Sequence, residues 1–231
     1  MHHFPEIPLA MPRALAAAAP VLATFLVLLA GCGGDAPDSP QTSDPDTLER
    51  PETSAQDAWW ARLSEPCGDA YPGRLGHAPP GDQMLQGEEL LVVHFDVCDE
   101  DEIRLPFHIE NLDGSWDRSR TWIFRRTDDG RIELRHDHRQ PDGAEDEQTW
   151  YGAWTVNEGT PSEQRFLIED RTYPDGQVRG WRVIIEPGVG YTYGTIRGDD
   201  WSWRVDFDLS IPMDEPPPPA WGYEGGGGPP R

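Results

Sequence analysis

From residue 90 to residue 209 the large apolar side chains return at every second position. Leu91, Val93, Phe95 and Val97 share one parity, and so do Ile103, Leu105, Phe107 and Ile109. A period of two places these residues on one face of an extended strand, and no helix can satisfy it. Strands are expected over 90–97, 103–109, 120–127, 131–138, 148–154, 163–171, 178–186, 190–197 and 201–209. Turn residues such as Asp128-Asp129-Gly130, Pro174-Asp175-Gly176, Pro187-Gly188 and Gly198-Asp199-Asp200 separate them.

Register follows from requiring hairpin partners to share a face. Folding about residue 188 opposes Ile185 to Tyr191 and Val183 to Tyr193. Folding about 199 opposes Thr195 to Trp203, Tyr193 to Val205 and Tyr191 to Phe207. A fold about 100 sets Val97 against Ile103 and Phe95 against Leu105, and one near 174–175 sets Phe166 against Val183 and Ile168 against Trp181. The other face reads Ser202, Arg204, Asp206, Asp208. The expected fold is therefore all-β: an antiparallel up-and-down meander of about 8–9 strands with one apolar side. Closure into a lipocalin-like barrel buries that side and removes the edges; a two-layer sandwich is the second choice. A short helix precedes the strands. Ser54 stands at its cap with Asp57 three residues on, and Trp59, Trp60 and Leu63 recur at helical spacing.

The N-terminus reads as an address. Residues 14–30 form an uncharged apolar run after Arg13, too short for a bilayer span, which needs about 20 residues, and suited to a secretory signal. It ends in Leu29-Ala30-Gly31-Cys32, which resembles a bacterial lipobox. That resemblance implies cleavage before Cys32, thioether acylation of its sulfur, a palmitate-type chain on the new amino group, and attachment to the envelope membrane. Several acyl chains anchor stably where one is marginal. Gly33 in place of aspartate favours the outer membrane over the inner. Met11 is an alternative start, giving a compact Met11-Pro12-Arg13 leader. The organisation is then signal peptide 1–31, flexible tether 32–56, barrel 57–213 and a Pro/Gly-rich tail 214–231. In an oxidising compartment Cys67 and Cys98 are expected to form one structural disulfide.

The chain carries a formal charge of −23, and its 19 cations are all arginine. Such a surface disfavours nucleic acid, whose phosphates demand a cationic footprint, and docking on anionic lipid heads. No nucleophile elbow, P-loop, dinucleotide loop or zinc-protease motif is present.

Chemistry concentrates at one hairpin. Folding about residue 129 opposes Phe124 to Leu134, Trp122 to His136, and Arg120 to His138. His136 and His138 thus share the inward parity of Leu134, and Arg118 and Arg120 that of Trp122. Glu145 and Asp146 follow at once. Three arrangements fit: a salt-bridged plug, a pocket for a small hydrophobic or anionic ligand, or a divalent-metal site on His136 and His138 completed by carboxylates. Two histidines at i, i+2 are half a ligand set. His94 and His108 share parity with polar neighbours and read as surface residues.

Six segments stand out: Trp59-Trp60-x-Arg62-Leu63-x-x-x-Cys67-Gly68, Asp101-Glu-Ile-Arg-Leu-Pro-Phe-His108, Asp117-Arg-Ser-Arg-Thr-Trp122, His136-Asp-His-Arg-x-x-Asp142-Gly-x-Glu145-Asp146, Arg204-Val-Asp-Phe-Asp-Leu209 and Pro-Pro-x-Trp-Gly at 218–222. Together they resemble a family of bacterial secreted or lipid-anchored proteins with no assigned activity. The resemblance implies export, a disulfide and an all-β body. The chain departs from it in reading Arg139-Gln140 after the paired histidines, which removes a third histidine from a metal set. The expected role is a monomeric, non-enzymatic envelope lipoprotein with a ligand-binding barrel and no obligatory cofactor. A metal-dependent hydrolase using His136/His138 and a purely structural envelope protein are the alternatives.

Overall fold

Ser54 starts helix α1 (Ala55–Ser64): its Oγ accepts from the Asp57 amide at 3.0 Å and donates to the Asp57 carboxylate at 2.8 Å. The computed structural model describes residues 53–225. The expected signal peptide 1–31, the alternative start Met11, Cys32 and most of the expected tether 32–56 lie outside the described residues. Trp59, Trp60 and Leu63 form the buried face of α1. Trp59 meets Phe124 and Phe166 edge-on, with ring centroids at 5.5 and 6.3 Å, so the helix closes one end of the sheet that carries those rings.

The strands are β1 (Ala70–His77), β2 (Leu91–His94), β3 (Val97–Cys98), β4 (Glu102–Glu110), β5 (Trp116–Arg126), β6 (Ile132–His138), β7 (Tyr151–Thr155), β8 (Glu163–Thr172), β9 (Val178–Glu186), β10 (Gly190–Arg197) and β11 (Asp200–Asp208). From β4 to β11 each strand pairs with the next. β11 then pairs with β1, β1 with β2, and β2 with β4. The ring is a closed antiparallel barrel of ten strands, with β3 continuing β2 alongside β4.

The strand absent from the alternation is β1, which completes the ring. Its Pro72, Gly73 and Gly76 leave no period to read. Gly73 is there for space: a Cβ at that position would stand 2.3 Å from Cδ1 of Phe207 on the neighbouring strand. The expected start of β7 at 148 moves to Tyr151, because Trp150 adopts a left-handed backbone (φ 58°) that interrupts the strand.

Registers about 129, 188 and 199 stand as expected, including Trp122 opposite His136 and Tyr193 opposite Val205. Two others differ. β2 keeps the register about 100, with Leu91 opposite Ile109, but Phe95 and Asp96 leave the ladder and β3 slips by one, so Val97 meets Arg104 and Cys98 meets Ile103. On β8 the partner of Phe166 is Trp181, and Val183 faces Gln164 instead; between Leu167 and Thr172 four residues of β8 stand opposite one of β9, which moves the register by three.

Side chains fill the bore. Trp59, Phe95, Phe107, Phe124, Phe166 and Tyr191 are fully buried within it. Trp122 stacks between Phe107 and Tyr193, with centroids at 4.9 and 3.9 Å.

Cys67 and Cys98 are bonded, with Cα atoms 6.1 Å apart, tying the turn after α1 to β3. Their 31-residue separation makes the link worth about 3–4 kcal/mol through the entropy of the unfolded chain. Cys67→Ser/Cys98→Ser is expected to lower the urea-unfolding free energy by about that amount. An unchanged midpoint would show that the bond constrains little.

The C-terminal segment lies on the barrel. The Met213 amide donates to Ala70 O on β1, Arg118 of β5 donates to Pro219 O, and the Trp221 amide donates back to Arg118 O. Tyr223 donates its hydroxyl proton to Asp137 on β6. Residues 213–223 therefore cross the outer face from β1 to β6, passing over β2 and β4. Beneath this strap lies a second buried layer outside the bore: Val92, His108, Thr121, Ile123, Asp137 and Arg139 are all buried. His108 is thus buried and not a surface residue, while His94 is half-buried. Parity placed them on the outer face, and the strap covers that face.

Candidate functional site

The mouth opposite α1 is shaped by a bulge. Phe107 faces Arg120, but Ile109 faces Asp117, so Arg118 and Ser119 together stand opposite one residue of β4. The parity of β5 reverses there. Asp117 and Arg120 turn to the mouth, and Arg118, expected inward, turns out to the strap. Its guanidinium lies over the Trp221 ring at 5.9 Å and 3.7 Å from Glu224.

Arg120 Nη1 donates to Asp117 at 2.6 Å and to Ser119 Oγ at 2.8 Å. Burial raises the Asp117 pKa, but hydrogen bonds from Ser119 and the Arg120 charge outweigh it and hold the carboxyl below its usual range. Next round the ring His138 faces Arg120 across the β5–β6 ladder. Its Nε2 lies 3.2 Å from the Tyr151 hydroxyl. Burial, then Arg120, lower the His138 pKa against opposing pulls from Asp146, Asp137 and Asp117.

His136 sits deeper. Its Nδ1 is 3.0 Å from Tyr151 O, and its Nε2 is bonded to the Tyr193 hydroxyl. A carbonyl only accepts, so Nδ1 carries the proton and Nε2 accepts from tyrosine. The ring stacks on Tyr151 (4.5 Å, nearly parallel) and packs against the tilted ring of Trp181 (4.8 Å). Burial pushes the His136 pKa down to about 3, so it is neutral at physiological pH. With both nitrogens engaged, His136 has no lone pair for a metal unless one of those bonds breaks. Among the described residues no group of three or more His, Cys, Asp or Glu side chains is placed to hold a metal ion.

The remaining expected residues disperse. Trp122 belongs to the bore. Glu145, 52% exposed, lies 3.4 Å from Arg139 and accepts from Trp150 Nε1 at 3.1 Å, on the outer side. Asp146 caps the Gln148 amide at 3.0 Å and accepts from Gln140.

A cleft of about 800 Å³ opens at the mouth between the 83–90 loop and the β4–β5 hairpin. Asp117 and Arg120 form its base, with Met84, Leu90, Ile109 and Leu112 along its walls. Glu88, Glu89 and Glu110 add carboxylates. Asp117 is not among the expected site residues, since no parity rule anticipates a bulge. Nor are Tyr151 and Tyr193, whose roles depend on meeting His136.

No family model, no curated protein and no solved structure matches this chain.

Proposed function

We propose that this protein is a lipid-anchored envelope protein, held through acyl chains on Cys32, that binds a small ligand at the mouth of its barrel. The lipobox-like Leu29-Ala30-Gly31-Cys32 supports the anchor. The observation that carries the binding reading is the 800 Å³ mouth cleft, set on the Asp117–Arg120 pair above a bore already occupied by aromatic rings. A ligand would sit in the mouth, and not inside the barrel as in an internal carrier. Apolar walls suit a hydrophobic body. Four carboxylates against one guanidinium favour a polar head that donates hydrogen bonds, a polyol or an amine, over the anionic head considered from sequence.

Native mass spectrometry of the full-length gene product, extracted in mild detergent, tests both parts. The expected species begins at Cys32, carries acyl chains and retains a small-molecule adduct. Arg120→Ala is expected to lose the adduct while its Tm falls by no more than a few degrees, because an ion pair at the mouth with side chains still 24% and 29% exposed is worth about 1 kcal/mol. An unmodified Cys32 overturns the anchor. An adduct-free wild type, or an equal adduct on Arg120→Ala, overturns the cleft.

A further inference from the structure

The barrel wall is parted between β7 and β8. Their ladder consists of Trp154–Leu167 and Thr155–Phe166 and stops there. Continued in the same register it would join Ala153 to Ile168, Gly152 to Glu169 and Tyr151 to Asp170, and none of these pairs forms. β8 also leaves β9 over the same stretch, between Leu167 and Thr172. Tyr151–Ala153 and Ile168–Arg171 thus lie as two strand edges with no ladder between them.

A cleft of about 650 Å³ occupies this seam. Its lining takes Tyr151, Ile168 and Trp181 from the inward faces of their strands and Arg135, Trp154 and Leu167 from the outward faces. The cleft thus sits at the strand edges, where side chains of both faces meet. Tyr151, Ile168 and Trp181 give it an apolar, aromatic side, and the two aromatic rings also pack against His136. Its outer rim carries Arg135, Glu169, Asp170 and Arg171.

We propose that this seam binds an extended peptide segment of another protein, which enters as an additional strand between β7 and β8. Unpaired edges offer main-chain donors and acceptors at strand spacing, the chemistry that β-strand addition uses. Side chains of an extended segment alternate, so one set meets Tyr151, Ile168 and Trp181 and the other meets the charged rim. The segment has apolar residues at alternate positions and polar ones between. The net charge of −23 favours basic ends.

Amide hydrogen exchange on the full-length protein in detergent micelles tests this. The probe is a pool of acetylated, amidated heptapeptides Lys-X-Thr-X-Thr-X-Lys, with X valine, isoleucine, leucine or phenylalanine. Exchange in 151–153 and 168–171 is expected to slow at least about tenfold with peptide. A pool N-methylated at alternate residues, unable to donate, is expected to leave exchange unchanged. Equal protection by the methylated pool would mean a side-chain pocket and overturn strand addition. Absence of protection by any peptide also overturns it. So does protection already present without peptide in a protein of dimeric mass, since a second copy would then hold the edge.

Discussion

Acidification from pH 7 to pH 4 is expected to remove several kcal/mol of folding stability, and His108→Leu is expected to restore part of it. His108 is fully buried, and neither ring nitrogen has a hydrogen-bond partner. Burial, then the charges of His94 and Arg118, push its pKa down to about 3; only Asp117 pulls the other way. His136 is likewise depressed to about 3, by burial first. In the unfolded chain both rings take up a proton near pH 6.5. The unfolded state therefore binds more protons between about 6.5 and 3, and stability falls as pH falls through that window. Above it the contribution is fully present. Each histidine contributes a slope of at most about 1.4 kcal/mol per pH unit, so two over this range approach the whole stability of a typical domain. Urea midpoints from pH 7 to 4 measure it. Leucine is apolar, close in volume and cannot titrate. The His108→Leu profile should be flatter by up to that slope; parallel profiles would show that His108 does not carry the acid sensitivity.

At neutral pH the costliest single substitution outside the bore should be Asp137→Ala, about 3–5 kcal/mol. Asp137 is 0% exposed and Arg139 7%. Arg139 Nε lies 3.0 and 2.9 Å from the two carboxylate oxygens, and Asp137 also accepts from Thr149 Oγ1 at 3.1 Å and from the Tyr223 hydroxyl. Removing the carboxylate leaves a guanidinium buried with only Gly143 O and the more distant Glu145 to answer it. It also leaves the Tyr223 hydroxyl without its acceptor and loosens the strap. Tyr223→Phe keeps the ion pair and should cost about 1–2 kcal/mol. Asp137→Leu/Arg139→Met, which removes both charges, should recover much of the loss. An Asp137→Ala penalty below about 1 kcal/mol in urea unfolding would contradict this account.

The His136–His138 strand shows how far pattern reading reaches. Its pairing to β5 follows from a three-residue turn and a shared apolar face, both local. That Arg120 faces His138 was therefore legible. That Asp117 joins Arg120 while Arg118 leaves was not, because a bulge costs one residue of parity and carries no compositional mark in Asp117-Arg118-Ser119-Arg120. The same limit explains β3 and β8, where Phe95–Asp96 and the segment after Leu167 break an otherwise regular alternation. His108 was misplaced for a different reason. Its parity was right, but an outer face is solvated only when nothing crosses it, and here a proline-rich tail does.

From the sequence alone came the strand period, most hairpin registers, the helix cap, the cysteine pair and the acidic, lysine-free coat. Each rests on residues close in the chain or on composition, where propensity and alternation act directly. Tertiary structure decided the closure through Gly73, the filling of the bore, the strap over β2 and β4, and the open seam beside Tyr151. These join segments far apart in sequence. Which of them meet is settled by the space left once every hairpin has formed, and alternation within one strand carries no information about that space.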